Sequence, residues 1–81
     1  MKYIQLCEKL APYIDVSPES LRESDNLMDH GMNSMQVLEF VESCNQEGIE
    51  ADFAVLAQDP TVGAWWNHIQ EVMLMHQKVR A

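Results

Sequence analysis

The sequence has few basic residues, and this shortage excludes one class of partner. Five lysines and arginines stand against thirteen aspartates and glutamates, so the formal net charge is −8. Proteins bind nucleic-acid phosphates mainly through lysine and arginine, and this balance leaves no basic patch for them. We therefore expect no nucleic-acid partner. An acidic surface of this kind suits proteins that present positive charge.

Long apolar runs are also missing. No stretch approaches the roughly 20 apolar residues that a helix needs to span a bilayer. Residues 1–8 contain no continuous apolar segment of the kind found in signal peptides. The sequence therefore predicts no membrane partner, and a cytoplasmic location.

Cysteine is scarce, with two residues and no C-x-x-C pair. Cys7 and Cys44 both fall on helix faces predicted to point into the core, where free thiols behave as small apolar groups. Two cysteines are too few for a zinc site. We expect buried free thiols and no metal site, with a disulfide as the alternative.

The length bounds both architecture and activity. A chain of 81 residues corresponds to a single domain, residues 1–81, and buries about 60–65% of its unfolded surface around one modest core. That leaves no room for a catalytic cleft with its supporting residues. His30, His68 and His76 lie far apart in sequence and do not by themselves indicate a base or a ligand cluster. We therefore expect no catalytic residues and no enzymatic activity.

Helical periodicity predicts three longer helices and one short one. The first covers residues 2–14, and Pro12 should kink or end its last turn. Its apolar residues share one broad side: Tyr3, Ile4, Leu6, Cys7, Leu10, Ala11 and Ile14. Its polar residues lie opposite: Gln5, Glu8 and Lys9. Residues 15–30 form a long connection with one short turn at 17–20, anchored in the core by Leu21 and Leu27.

The second helix has the clearest start. Asn33 is a favoured N-cap residue, and Gln36 stands three positions later, as in a capping box. Gly31 breaks the segment before it. Residues 35–47 contain neither Gly nor Pro, so one uninterrupted helix is expected. Ser34 then lies on the first turn, free to point at solvent.

The core face and the serine lie on different sides of this helix. At about 100° per residue, the core side gathers Val37, Phe40, Val41 and Cys44. The other side gathers Ser34, Met35, Leu38, Glu39 and Glu42. Two large apolar residues beside the serine, on a face that the core does not need, indicate a docking surface.

The second half of the sequence predicts a short helix followed by a long one. Gly48 ends the second helix, and Asp52 can cap a short helix over residues 53–57. In it Phe53 and Ala57 share one side, while Val55 and Leu56 face inward.

Thr61 caps the last helix after Pro60, and residues 76–81 should fray. One apolar arc contains Val62, Trp65, Trp66, Ile69, Val72, Met73, His76 and Val79. Both tryptophans are therefore expected to be structural.

Residues 25–35 resemble the segment around the modified serine of acyl, peptidyl and aryl carrier proteins. That pattern is roughly D-x-L-x-D-x-G-[hydrophobic]-D-S-[hydrophobic]. The chain reads Asp25-Asn26-Leu27-Met28-Asp29-His30-Gly31-Met32-Asn33-Ser34-Met35. Every element is present except the Asp before the serine, which is Asn33. Residues 48–57 and 59–66 resemble the second half of aryl carrier domains of siderophore synthetases, and the Trp65-Trp66 pair is the most specific part.

The resemblance covers residues 3–75 and implies a fold and a function. The fold is an all-α four-helix bundle of the acyl-carrier type, with three longer helices, a short third helix and a long first loop. A phosphopantetheinyl transferase would attach the 4'-phosphopantetheine arm of coenzyme A to Ser34. The thiol of the arm would hold an aminoacyl, aryl or acyl group as a thioester.

The resemblance also implies partners. These are an adenylation enzyme and downstream synthetase or transferase domains of a non-ribosomal peptide or siderophore-like pathway. They would dock on the second helix and the short helix, at Met35, Leu38, Phe53 and Ala57. The ordinary start of the chain and its end just past the last helix lead us to expect a free-standing, monomeric carrier, with a domain excised from a larger protein as the alternative.

Two alternatives stay open. A fatty-acid or polyketide acyl carrier shares the serine motif, although the tryptophan pair and the Phe53 helix favour the aryl or peptidyl branch. An unmodified acidic helical interaction module would use Ser34 merely as a helix cap.

Overall fold

Within the residues that the structure describes, four α-helices and three short 3-10 turns form the fold. The computed structural model describes residues 2–80, and the side chains of residues 2–75. The helices are α1 (Tyr3–Leu10), α2 (Ser34–Gln46), α3 (Phe53–Gln58) and α4 (Val62–Arg80). The 3-10 turns lie between α1 and α2, at Ala11–Tyr13, Pro18–Ser20 and Leu27–His30. The predicted all-α bundle, with a short third helix and a long first connection, is confirmed.

The core draws on every helix and on the connection. Its two largest side chains are Phe40 of α2 and Trp65 of α4, both fully buried, with ring centroids 5.1 Å apart. Leu21 and Leu27 are buried, as predicted for the anchors of the connection. The other core residues are Leu6, Cys7, Leu10, Met32, Val37, Val41, Cys44, Ile49, Ala51, Leu56, Val62 and Ile69.

α1 ends at Leu10, short of the predicted residue 14. The chain continues as the 3-10 turn Ala11–Tyr13, which contains Pro12, the residue predicted to kink or end the last turn. Two predictions about the faces of α1 are wrong. Ile4 is 42% exposed, because it lies at the edge of the apolar arc near the start of the helix. Lys9 does not point to solvent but reaches across to α2.

The Lys9 side chain ties α1 to α2. Its Nζ donates to Ser43 Oγ at 2.6 Å, pairs with the Glu47 carboxylate, and lies 5.9 Å from the Phe40 ring centroid. Only 13% of the side chain is exposed. A lysine stem can cover apolar surface while its charge finds a partner, which helical periodicity alone does not reveal.

The predicted caps of the second half are confirmed, and one predicted face is not. Gly48 has φ +83° and follows α2, and Asp52 accepts from Ala54 N–H at 2.9 Å. Val55 is 42% exposed rather than inward-facing. A helix of six residues has one narrow buried side, and Leu56 alone fills it.

Backbone hydrogen bonds join the long connection to the start of α4. We call this pairing of residues 23–27 with residues 60–63 the loop–α4 junction. Leu27 N–H donates to Pro60 O at 2.8 Å, Val62 N–H to Asp25 O at 3.1 Å, and Gly63 N–H to Glu23 O at 2.9 Å. An isolated antiparallel bridge pairs Asn26 with Thr61. The connection is therefore fixed by its backbone as well as by its buried leucines.

Gly63 allows this close approach. A Cβ at this position would lie 3.1 Å from both the Cβ and the carbonyl oxygen of Glu23. Because one of these atoms is backbone, it cannot swing aside as the end of a side chain would. The glycine in the first turn of α4 is thus explained by the junction.

Both cysteines are free and buried. Burial raises the pKa of the Cys7 thiol, and it raises the pKa of Cys44 to about 11. A thiol in an unfolded chain ionises near pH 8.5. The folded chain therefore keeps protons that the unfolded chain releases.

We expect the free energy of unfolding to fall as the pH rises from about 8.5 to about 11, because over that range the unfolded state binds fewer protons. Below about pH 8.5 these thiols contribute no pH dependence. Urea denaturation at several pH values measures the decline. Cys44→Ala is the control and should make the decline shallower, while Cys7 still contributes to it; equal stability of the parent protein at pH 8 and pH 11 would contradict the assignment.

Two further observations concern the described part of the chain. None of its helices is long and apolar enough to cross a membrane. It holds no group of three or more His, Cys, Asp or Glu side chains placed to bind a metal ion. α4 continues to Arg80, so the fraying predicted for residues 76–81 is not seen in the described part of that segment, residues 76–80. The place of His76 and Val79 on the arc falls outside the described side chains.

Candidate functional site

Ser34 is the first residue of α2 and does not cap it. The cap is Asn33, whose Oδ1 accepts from Gln36 N–H at 2.9 Å. Gln36 Oε1 in turn accepts from Asn33 N–H at 3.0 Å. The predicted capping box is confirmed, and it leaves the Ser34 hydroxyl without a structural task at the helix end.

The chain on the N-terminal side of Ser34 is held in place. Gly31 has φ +97°, a left-handed conformation that glycine adopts without steric cost. The turn lets Met32 N–H donate to Leu27 O at 3.2 Å and buries the Met32 side chain, which is 3% exposed. Ser34, two residues later, is exposed. A buried anchor and a capped helix therefore present the serine at a fixed place on the surface.

The immediate surroundings of Ser34 offer hydrogen-bond donors. Within residues 2–80, no hydrogen bond engages Ser34 Oγ or the backbone N–H groups of Ser34 and Met35. These N–H groups point out of the N-terminal end of a 13-residue helix, where the helix dipole favours negative charge. The residue before the serine, Asn33, is neutral. This end of α2 can stabilise an anion covalently linked to the serine.

The four residues predicted to bind partners are all exposed. Met35 is 69% exposed and Leu38 42% on α2, and Phe53 is 38% exposed on α3, where Ala57 is exposed too. α3 packs against α2. We call Met35, Leu38, Phe53 and Ala57 the α2–α3 patch. Its role in binding stays a prediction.

The described histidines lie in separate places. His30 nitrogens lie 3.7 Å from carboxylate oxygens of Asp15 and Asp25, in the connection before α2. His68 Nε2 accepts from Asp52 N–H at 3.0 Å and so joins α4 to the start of α3. Each has a local contact that orders the chain, and neither contacts Ser34 by a hydrogen bond or ion pair within the described residues.

Sequence reasoning missed the loop–α4 junction, which holds the segment leading to Ser34. One signal could have indicated it: Gly63 stands in the first turn of a helix, where glycine is costly unless another part of the chain approaches closely. The partner segment has no such signal, because any residue supplies a backbone carbonyl.

Comparison with known proteins gives a family and several relatives. A family model described as a phosphopantetheine attachment site matches residues 5–69. Isochorismatase of Bacillus subtilis is 31% identical over an alignment of 68 residues, and the match covers 79% of this chain and 22% of that protein. Enterobactin synthase component B of Escherichia coli is 34% identical over 61 residues, 75% of this chain and 21% of that protein.

A third relative is similar over a shorter stretch. Pseudomonine synthase of Pseudomonas entomophila is 38% identical over 48 residues, which cover 59% of this chain and 8% of that protein. The chain thus spans about a fifth of the length of the first two relatives, 22% and 21%. The comparison with solved structures gives no match.

Proposed function

The chain belongs to the phosphopantetheine attachment site family, and from that membership we propose that Ser34 is the residue that bears the 4'-phosphopantetheine arm. Members of this family are carriers, and their cofactor is this arm. One observation supports Ser34 above all: its hydroxyl is exposed and unpartnered within residues 2–80, because Asn33 caps α2 in its place.

The attachment chemistry is the one that membership of the family implies. The Ser34 oxygen would attack the phosphorus of coenzyme A that bears the pantetheine, breaking the pyrophosphate bond and releasing adenosine bisphosphate. The hydroxyl proton would pass to a base of the transferase. The resulting phosphodiester is anionic, and the free N–H groups of Ser34 and Met35 at the positive end of α2 fit it. When bound, the arm supplies a thiol that holds an acyl group as a thioester.

We place the carrier in the aryl or peptidyl branch, in a non-ribosomal peptide or siderophore-like pathway. The support is the Trp65-Trp66 pair after Pro60-Thr61, together with relatives named as enterobactin synthase and pseudomonine synthase. Its partners are then a phosphopantetheinyl transferase, an adenylation enzyme and downstream synthetase domains. The carrier performs no catalysis itself and works in the cytoplasm, where a supply of coenzyme A is expected.

Intact mass spectrometry tests the function. The protein is incubated with coenzyme A and a promiscuous phosphopantetheinyl transferase, and we expect its mass to increase by one arm. An unchanged mass under conditions that load another carrier would favour the acidic interaction module, in which Ser34 is unmodified.

The α2–α3 patch should control how long a partner enzyme stays bound. Brief contacts with a small interface typically depend on one or two apolar side chains. Leu38→Ala and Phe53→Ala, each made in arm-bearing protein, are expected to slow acyl transfer to a downstream enzyme about tenfold, the equivalent of roughly 1.4 kcal/mol. Both side chains are substantially exposed, so the fold should persist. Single-turnover transfer kinetics provide the measurement.

The matched control is Ile4→Ala. Ile4 and Leu38 are both 42% exposed, but Ile4 lies on α1. Its removal should leave transfer unchanged. Equal rates for Leu38→Ala, Phe53→Ala and Ile4→Ala, with circular dichroism intact, would move the partner surface away from α2 and α3.

A further inference from the structure

Two exposed apolar side chains on α4 belong neither to the core nor to the α2–α3 patch. Leu74 is 54% exposed and Met75 is 64% exposed, while the preceding Met73 packs against the core. Single exposed apolar residues are common on protein surfaces. These two are adjacent, however, and among the exposed large apolar residues of the described chain only Met35 has a larger exposed fraction. The proposed function gives them no task.

Leu74 and Met75 lie between charges of opposite sign on one side of α4. Glu71, three positions before Leu74, is exposed, and Lys78 stands seven positions after Glu71 on the same helix. Seven positions return to within about 20° of the same direction, because successive residues turn by about 100°. Leu74 falls about 60° to one side of Glu71 and Met75 about 40° to the other. We call these four positions the outer stripe of α4.

The outer stripe lies on the side of α4 that faces away from the bundle. The buried residues Val62, Trp65 and Ile69 lie on the opposite side of the helix by the same periodicity. A second molecule can therefore lie along the stripe without displacing the core. The stripe also contains neither Ser34 nor any residue of the α2–α3 patch, so both stay free when it is covered.

The order of the outer stripe is acidic, apolar, apolar, basic, and this order complements itself when a second copy runs in the opposite direction. A two-fold axis between positions 74 and 75 places Leu74 of each copy opposite Met75 of the other. The same axis places Glu71 of each copy opposite Lys78 of the other. A parallel pair of helices would instead bring like charges together, which is unfavourable at a contact.

We propose that the outer stripe of α4 is the contact surface of a two-fold symmetric dimer of this chain, in which the two α4 helices run antiparallel. The apolar pair supplies the centre of the contact. The charges on either side of it fix the direction and register of the two helices, because only the antiparallel arrangement pairs them with opposite sign.

This dimer should be weak. The contact from residue 71 to residue 78 spans only about 10 Å of helix axis, whereas a standard stable interface buries about 800 Å² on each partner. The formal net charge of −8 also makes two copies repel each other. We therefore expect a dissociation constant on the order of 0.1–1 mM. The monomer expected from the sequence is then the state at low concentration.

Sedimentation velocity of the full chain at concentrations below and above this range tests the proposal. The weight-average mass should rise from that of a monomer toward that of a dimer as the concentration increases. L74Q/M75Q should raise the dissociation constant at least about tenfold, with circular dichroism unchanged because both side chains are exposed. Ile4→Gln is the matched control: Ile4 is also exposed, but it lies on α1, and its replacement should leave the dimer intact.

Charge reversal tests the antiparallel register. Glu71→Lys or Lys78→Glu alone brings like charges together at both ends of the contact, so each variant should weaken the dimer at least about tenfold. E71K/K78E exchanges the two signs and should restore it, as should an equimolar mixture of the two single variants. Glu8→Lys makes the same charge change at an exposed position of α1 and should not weaken the dimer.

These charge reversals should leave α4 itself intact. Neither position 71 nor position 78 has a Lys, Arg, Asp or Glu three or four residues away, so no ion pair within the helix is changed. A parent protein that stays monomeric at the highest concentration would overturn the proposal. A dimer that persists in Glu71→Lys and in L74Q/M75Q would place the contact on another surface, and failure of E71K/K78E to dimerise would refute the antiparallel register.

Discussion

Ser34→Ala is expected to abolish the mass gain that coenzyme A and a transferase produce, while the melting temperature stays almost unchanged. The loss should be complete because an alanine has no oxygen to form the phosphodiester. The fold should persist because the cap of α2 belongs to Asn33 and Gln36 rather than to Ser34. Intact mass and thermal circular dichroism, recorded on the same sample, measure both effects.

Ser43→Ala is the matched control for this experiment. Ser43 is the other serine on α2, and its hydroxyl accepts from Lys9 rather than facing solvent freely. This variant should gain the arm like the parent and lose only a small amount of stability. A Ser34→Ala protein that still gains the arm would contradict the assignment of Ser34 as the attachment site.

Trp65→Ala is expected to cause the largest loss of stability of any substitution considered for this chain. Trp65 is fully buried, packs against Phe40 and donates from Nε1 to Leu56 O at 2.9 Å. Truncating a buried aromatic side chain costs about 3–5 kcal/mol. In a domain of this size each kcal/mol lowers the melting temperature by about 4–8 °C. Much of the stability of a small domain would be lost.

Two further tryptophan variants serve as comparisons for the loss of stability in Trp65→Ala. Trp65→Phe keeps an aromatic ring but leaves the carbonyl of Leu56 without its donor, at a cost of about 1–3 kcal/mol. Trp66 is only partly buried and meets Tyr3 edge to face, with ring centroids 5.7 Å apart. Trp66→Ala should therefore cost less than Trp65→Ala. Urea denaturation that ranks Trp66→Ala as the more damaging change would contradict this order.

The start of α2 could be predicted almost completely from the sequence. The spacing of Asn33 and Gln36 specifies a capping box, and Gly31 supplies the left-handed residue that the preceding turn needs. These are local effects, in which a side chain bonds to backbone within three residues. The exposure of Ser34 and Met35 followed from the same local geometry. Sequence reasoning succeeds where the decisive contacts are close along the chain.

Lys9 and Val55 show where sequence reasoning fails. Both were assigned from helical periodicity, which reports a direction but not what another helix places there. Lys9 turns inward because Ser43 of α2 and Glu47, the residue directly after α2, supply partners. Val55 turns outward because α3 is too short to bury more than Leu56. In each case the direction of the side chain depends on the tertiary structure around it, which helical periodicity does not report.

The loop–α4 junction also sets an order of events during protein synthesis. The segment that leads to Ser34 is held by the carbonyls of Glu23 and Asp25 and the N–H of Leu27, whose partners lie at residues 60–63. At roughly 5–20 residues per second, those partners are translated about 1–6 seconds after Ser34. During that interval a nascent chain contains the serine but lacks the support for the turn that presents it. Ser34 is therefore synthesised before the backbone contacts that hold the preceding segment can form, and under the proposed function we expect a transferase to modify the chain only after the start of α4 has been made.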